Sequence, residues 1–310
     1  MLKGWMQMEF LYLLEKIRIP GLNELMLAIT TLGEETAFLV IALIVFWCVD
    51  KKKGYYVMTV GFLGTMTNQF LKLLCRVPRP WVLDPNFTIL EQAREAATGY
   101  SFPSGHTQSA VGTFGSLAVM ADKKWWRNLC IAIAILVGFS RMYIGVHTPS
   151  DVLVSAGIAC VLVGILKKPV LQGGDREMRI LIWVMSGVAI AFLLFVHLWP
   201  FPEDIDAHNY ESGLKNAYTM LGCLIGVAIV YAADKKLDFP VHALWWVQII
   251  KVAVGLLLVL AVKELARTPL ELLFGGHLIA RSVRYCLIIL VAGLVWPLSF
   301  RRFSRVGVKK

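Results

Sequence analysis

The chain has 310 residues, 57% of them hydrophobic and only 17% charged, with a mean hydropathy of +0.66. Soluble domains carry about 45–50% apolar and about 25% charged residues, and here apolar runs recur along the whole length, which argues against a soluble enzyme, a disordered chain and a fibrous repeat. The formal net charge of +10 does not indicate nucleic acid, because no DNA- or RNA-binding motif accompanies it; in a membrane chain it is first a topology signal.

Residues 1–20 read as an amphipathic helix lying at the membrane interface. Glu9, Glu15, Lys16 and Arg18 fall among Trp5, Phe10, Leu11, Leu13, Leu14 and Ile17, without the uncharged core or cleavage site of a signal peptide. Pro20 and Gly21 end it. Nine apolar segments follow, each approaching the roughly 20 residues a span needs: Leu25–Val49, Tyr56–Leu74, Ser104–Ala121, Trp126–Val146, Val152–Leu166, Ile180–Trp199, Leu214–Ala232, Ala243–Val262 and Leu278–Leu298. The fifth is short and the eighth carries Lys251. The predicted fold class is therefore all-α, a polytopic membrane helical bundle. The six cysteines stand singly, without a CxxC pair, so neither a zinc site nor a disulfide framework is indicated, and no metal-ligand cluster is visible.

Basic residues set the orientation. Alternate turns hold Lys51, Lys52 and Lys53; Lys123, Lys124 and Arg127; Lys167, Lys168, Arg176 and Arg179; Lys235 and Lys236; and the tail Arg301, Arg302, Arg305, Lys309 and Lys310. The opposite side holds Glu203, Asp204, Asp206 and Glu211. The positive-inside rule puts the C-terminus in the cytoplasm and the N-terminus outside. The connection from Arg79 to Pro103 lies on the outer side and is long for a helix–helix link; it reads as an ordered shelf with a short helical piece over Ile89–Ala97.

Three segments meet at that outer face: Lys72 to Pro80, Pro103-Ser104-Gly105-His106, and Ser140-Arg141 followed by His147 and Asp151. Lys72 and Arg79 stand about two helical turns apart. Cations there are costly unless they snorkel to the headgroups or meet an anion. Ser104 can cap the helix that follows, and the free amides of a helix start favour an anion, which Gly105 lets approach. Thr148-Pro149-Ser150-Asp151 is a helix start in its own right, yet Asp151 also lies within reach of His147. A carboxylate on one ring nitrogen fixes the tautomer and leaves the other nitrogen able to attack. Arg141 adds a guanidinium suited to phosphate. The set suits phosphoryl transfer through a covalent phosphohistidine, by a route that needs no metal and no cofactor.

These segments match KxxxxxxRP, PSGH and SRxxxxxHxxxD at every motif position, and the chain resembles the type 2 phosphatidic acid phosphatase (PAP2) superfamily of integral membrane phosphatases. The resemblance covers roughly residues 21–170, spans one to five; residues 171–310 add spans six to nine and the basic cytoplasmic tail. It implies that His147 is the nucleophile, Asp151 its orienting partner and His106 the general acid. Lys72, Arg79, Ser104, Gly105 and Arg141 would bind the phosphate. Nine spans with an outside N-terminus is similar to the plan of the glucose-6-phosphatase branch.

The leading expectation is a phosphatase for a lipid phosphate or diphosphate, of the phosphatidic acid, phosphatidylglycerol phosphate or polyprenyl diphosphate class. It would sit in the plasma membrane if the source is bacterial, with its site on the extracytoplasmic face. A soluble ester such as a sugar phosphate, and a non-catalytic lipid transporter, are the alternatives. Arg281 and Arg284, near the outer start of span nine, fit either a snorkelling rim or a headgroup contact.

Overall fold

A computed structural model describes residues 2–95, 97–237 and 239–303, with the side chains of 2–6 and 235–237 left aside. Arg305, Lys309 and Lys310 of the expected basic tail therefore lie outside the described residues, as do the side chains of Trp5, Lys235 and Lys236. The described residues form helices and connections with no strand. The chain is a multi-pass membrane protein. It divides into two compact units, one comprising Met1–Leu39, Tyr56–Lys168 and Phe201–Gly213, the other Val40–Tyr55, Pro169–Pro200 and Leu214–Lys310.

The first unit contains α1 (Leu2–Lys16), α2 (Pro20–Thr31), most of α4 (Lys51–Cys75), the short α5 (Pro80–Leu83), α6 (Gly105–Val119), α7 (Lys124–Tyr143) and α8 (Pro149–Lys167); α3 (Glu35–Cys48) begins in it. The expected first span is not one helix. α2 and α3 meet at a bend of 50° across Leu32–Glu34, where Thr30, Thr31, Gly33, Glu34 and Glu35 interrupt the apolar run. Gly33 makes the bend possible, because a Cβ there would stand 2.7 Å from Val137 and 2.8 Å from the His106 carbonyl.

α1 is fastened at several points. Leu11 and Leu14 are buried. Tyr12 donates to Asp84 at 2.8 Å, Ser150 donates to Gln7 at 2.8 Å, and Arg18 donates to the Tyr143 and Thr88 carbonyls. The shelf opens with α5 and, over the described residues of 89–97, holds a single 3₁₀ turn, Glu91–Ala93, in place of the expected helix. Met26, Ala93, Tyr143, Ile144 and Val146 pack it onto α2 and the end of α7. α6 is the enclosed element. Only 15 residues long, it packs against both α7 and α8 and buries Thr107, Gln108, Ala110, Gly112, Thr113, Phe114, Ser116 and Ala118.

The second unit contains the remainder of α3, the first turn of α4, α9 (Asp175–Leu198), α10 (Ala207–Leu237) from Leu214 on, α11 (Trp245–Leu265), α12 (Arg267–Leu273), α13 (Ile279–Leu290) with its π-helical extension Val291–Val295, and α14 (Phe300–Phe303). Gly222 and Gly226 form a GxxxG seam on α10, the pattern that lets helix backbones touch in a membrane. A Cβ on Gly222 would come within 2.1 Å of the Ser282 carbonyl oxygen on α13, and one on Gly226 within 2.7 Å of Ile289. Lys251, the charge inside the expected eighth span, is satisfied. Its ammonium donates to the Trp47 carbonyl at 2.8 Å and the Val241 carbonyl at 2.9 Å and lies 4.1 Å from the Phe300 ring centre. A cation on the last-turn carbonyls of α3 is placed where the helix dipole favours it.

Helices occupy all nine expected positions, yet among the described residues five are long and apolar enough to cross a membrane, or six if the bent α2–α3 pair counts as one span. α6 is too short, and α4 and α7 carry Asn68, Lys72, Arg127 and Arg141 within their length. The apolar exteriors of the long helices, such as Leu153 on α8 and Trp183 on α9, are exposed at 70% and 73%, as lipid-facing residues would be. Replacing Gly222 with valine should force α10 and α13 apart and destabilise the protein by about 1–3 kcal/mol. A thermal melt in detergent checks this; a melt unchanged from wild type would mean that the close approach carries no stability.

Candidate active site

The local sequence builds the site from three helix ends. Thr148 caps α8 by a full capping box with Asp151, and Pro149 opens the helix. The same Asp151 carboxylate is then shared. Its Oδ2 accepts from the Thr148 amide at 2.9 Å, from Ser101 Oγ at 2.6 Å and from the His147 ring at Nδ1, 3.2 Å away. Ser104 caps α6, accepting from the Thr107 amide at 3.4 Å and the Thr107 hydroxyl at 2.9 Å, which leaves its own O–H to donate. Gly105 opens that helix, and a Cβ there would meet nothing closer than Asn68 Oδ1, at 3.7 Å.

The tautomer of His147 follows from its neighbours. Arg79 Nη1 lies 2.9 Å from His147 Nε2. A guanidinium only donates, so Nε2 accepts with its lone pair and the ring proton sits on Nδ1, facing Asp151. His147 is 1% exposed. Burial lowers its pKa well below the usual 6.5, and the charges of Arg79, Arg141, Lys72 and His106 push the same way.

The three cations differ in what they already hold. Arg79 spends its donors on the Gly99 carbonyl at 3.1 Å, the Thr98 carbonyl at 2.8 Å, the Val146 carbonyl at 3.0 Å and His147. Burial brings its pKa down to about 10. Lys72 donates to the Tyr100 carbonyl. Arg141, 1% exposed, is held through Nη1 alone, by a 2.7 Å bond to Thr30. Its Nε and Nη2 are buried without a partner. Those two atoms form the fork edge that meets two oxygens of a phosphate, and Glu34 is the acid whose charge reaches this guanidinium. The His106 ring makes no hydrogen bond among the described residues and is half-buried.

All eight residues singled out from the sequence are thus assembled in the first unit. Three further ones were not foreseen. Ser101 orients the carboxylate, Thr30 holds Arg141, and Asn68 donates to the Pro103 carbonyl at 3.3 Å while its own Oδ1 is buried and unpartnered. Ser101 carried a faint signal, standing three residues before the Ser104 cap in a shelf otherwise held by its backbone. Thr30 carried none, being an isolated threonine 111 residues from its partner.

A family model described as the PAP2 superfamily matches residues 52–171, and a second, described as PAP2 superfamily phosphatase, transmembrane extension, matches residues 218–308. The chain is 31% identical over 163 residues to phosphatidylglycerophosphatase B of Bacillus subtilis, covering 49% of this chain and 76% of that protein. It is 31% identical over 113 residues to an undecaprenyl-diphosphatase of the same organism, where the match spans 36% of this chain and little more than half, 55%, of the relative. Among solved structures, a transmembrane PAP2-type phosphatidylglycerolphosphate phosphatase from Bacillus subtilis is similar at 26% identity and a TM-score of 0.45, over 54% of this chain and 85% of that one.

The hydrogen-bond pattern around His147 has a direct spectroscopic consequence. In protein labelled with ¹⁵N-histidine, the His147 ring should be neutral at pH 6 and protonated on Nδ1. Burial and the surrounding cations lower its pKa, so the charged form appears only at more acid pH. A ring already cationic at pH 6, or protonated on Nε2, would contradict the geometry.

Proposed function

The chain belongs to the PAP2 superfamily, and from that premise we propose that it is a membrane phosphatase that hydrolyses a lipid phosphate or diphosphate through a phosphohistidine on His147. The observation that carries the reading is the buried, unpartnered fork of Arg141 beside a histidine whose Nδ1–H is tied to Asp151. An unpaired buried cation costs several kcal/mol; a phosphate in contact with Arg141 removes that cost and brings phosphorus to Nε2.

In this reading the phosphate takes the Arg141 fork, the Ser104 hydroxyl, the Gly105 amide and Lys72. Arg79 shifts its Nη1 donor from Nε2 to a phosphate oxygen, which frees the lone pair. Nε2 then forms a bond to phosphorus as the bond from phosphorus to the lipid oxygen breaks. His106, holding a second ring proton once the dianionic phosphate is bound, gives that proton to the lipid oxygen and is left neutral. The phosphorylated ring is cationic, and Asp151 stabilises it through Nδ1–H. Water next attacks phosphorus, the P–N bond breaks, His106 takes the water's proton, and His147 returns neutral with inorganic phosphate released. The cations offset the charge that develops on the phosphoryl oxygens, so the route is metal-independent.

A lipid substrate is supported by what the relatives are named for, undecaprenyl-diphosphatase and phosphatidylglycerophosphatase, and by a site in a chain whose helices face lipid. The distribution of basic turns supports a site on the extracytoplasmic face, with the N-terminus outside and the C-terminus in the cytoplasm.

His147→Ala should lower phosphate release from phosphatidic acid, phosphatidylglycerol phosphate or a polyprenyl diphosphate by on the order of 10³-fold or more. An unchanged rate would remove the nucleophile, and release from water-soluble sugar phosphates alone would move the substrate class. Ser101→Ala removes one charge-assisted bond to Asp151 and should lower kcat roughly tenfold with KM unchanged. Its effect should vanish in the His147→Ala background; an equal loss there would make Ser101 a purely structural residue.

A further inference from the structure

Arg281 and Arg284 stand at the start of α13, in the second unit. Both flank the ring of Tyr285, with guanidinium carbons 5.4 Å and 5.5 Å from its centre. Arg281 is fixed by one bond, from its Nε to Thr219 Oγ1 on α10 at 2.6 Å. The Thr219 hydroxyl in turn donates to the Lys215 carbonyl at 2.8 Å, so that oxygen is locked in place as an acceptor. The Gly222 seam lies one turn further along, and it is what brings α13 close enough for the bond.

Arg284 is different. It is 8% exposed, its Nε is buried without a partner, and the guanidinium makes no hydrogen bond or ion pair to any described residue. Snorkelling accounts for the Nη atoms, which are not among the buried ones, but not for Nε, which stays buried and unmet. Two like charges are held around one ring, one with its Nε donor committed and the other with none. An isolated buried cation is expensive unless an anion meets it, and two guanidinium forks on one turn of helix match the oxygens of a phosphate group.

We propose that Arg281 and Arg284 form a second anion site, built from the transmembrane extension, which takes one phosphate group. The group is either the headgroup phosphate of an anionic phospholipid or a free phosphate ion. Basic-turn counting assigns the start of α13 to the outer side, so a lipid would come from the outer leaflet. Tyr285 lies beside both guanidinium groups, and Thr219 holds the Nε of Arg281.

The test uses the full chain, delipidated in detergent. Native mass spectrometry follows retention of phosphatidylglycerol, a phosphodiester outside the proposed monoester chemistry, against zwitterionic phosphatidylcholine. Wild type should retain one phosphatidylglycerol, with phosphatidylcholine held at least tenfold more weakly. The Arg281→Gln/Arg284→Gln double variant should retain phosphatidylglycerol at least tenfold less. Inorganic phosphate separates the two sources: displacement of the lipid at millimolar phosphate assigns a phosphate-ion site, and no displacement assigns a headgroup site. Arg284→Met guards against misfolding. Without lipid it should melt at or above wild type, since it removes an unpaired buried charge, and phosphatidylglycerol should raise the wild-type Tm by several degrees but not the variant's. Wild type that retains neither anion, a double variant that retains the lipid as wild type does, or an Arg284→Met melt well below a wild type indifferent to lipid would each overturn the site.

Discussion

Three buried cations, Lys72, Arg79 and Arg141, lie in the same unit as the buried His147 ring, and that part of the first unit is arranged around the free-energy cost of keeping them there. Removing a charge from water costs several kcal/mol even after relaxation. The protein offsets most of that cost with backbone carbonyls. The long connection after α4 places the carbonyls of Thr98, Gly99 and Tyr100 on Arg79 and Lys72. The shelf therefore neutralises cations at the same time as it covers the site. The end of α2 supplies the Thr30 hydroxyl to Arg141, and no described residue takes its Nε or Nη2. The deficit that remains is concentrated at the Arg141 fork, in the same unit as a histidine whose ring proton faces the carboxylate. Such a site is complementary to an anion before any substrate arrives.

The same currency explains the second unit. Lys251 is as deeply buried as Arg141, at 1% exposure, yet its ammonium meets two carbonyls and an aromatic face. It closes the end of α3 and needs nothing more. Arg284 meets only the Tyr285 ring. Buried cations in this chain thus fall into two groups, those fully met by the protein and those left open. Among the buried cations of the described residues, those with an unmet buried nitrogen are Arg141 and Arg284.

Much of the site was legible because its parts are local. The Thr148 capping box, the Ser104 cap and the His147–Asp151 spacing are short-range patterns, and each is visible in a window of a few residues; the two-turn helical offset expected of Lys72 and Arg79 does not hold, because α4 ends at Cys75 and Arg79 lies on extended backbone. What was hidden depends on distant partners. Ser101 reaches Asp151 across 50 residues and Thr30 reaches Arg141 across 111, and neither residue type in isolation signals such a role. The division of the expected first span was written in Thr30 to Thr36, but apolar segments on both sides made it read as one helix. The nine-span count, and with it the likeness to the glucose-6-phosphatase plan, rested on apolar length alone. It did not foresee that α6 would be short and enclosed by neighbouring helices, or that α4 and α7 would spend part of their length carrying the site.

The proposed chemistry requires a bond from phosphorus to His147 Nε2. Rapid alkaline quenching of the protein during turnover of a ³²P-labelled lipid phosphate, followed by peptide mapping, reads that bond directly. Acid-labile label is expected on the peptide containing His147, formed and lost at rates compatible with turnover. Steady phosphate release with no label on that peptide, or with label on another residue, would contradict that chemistry.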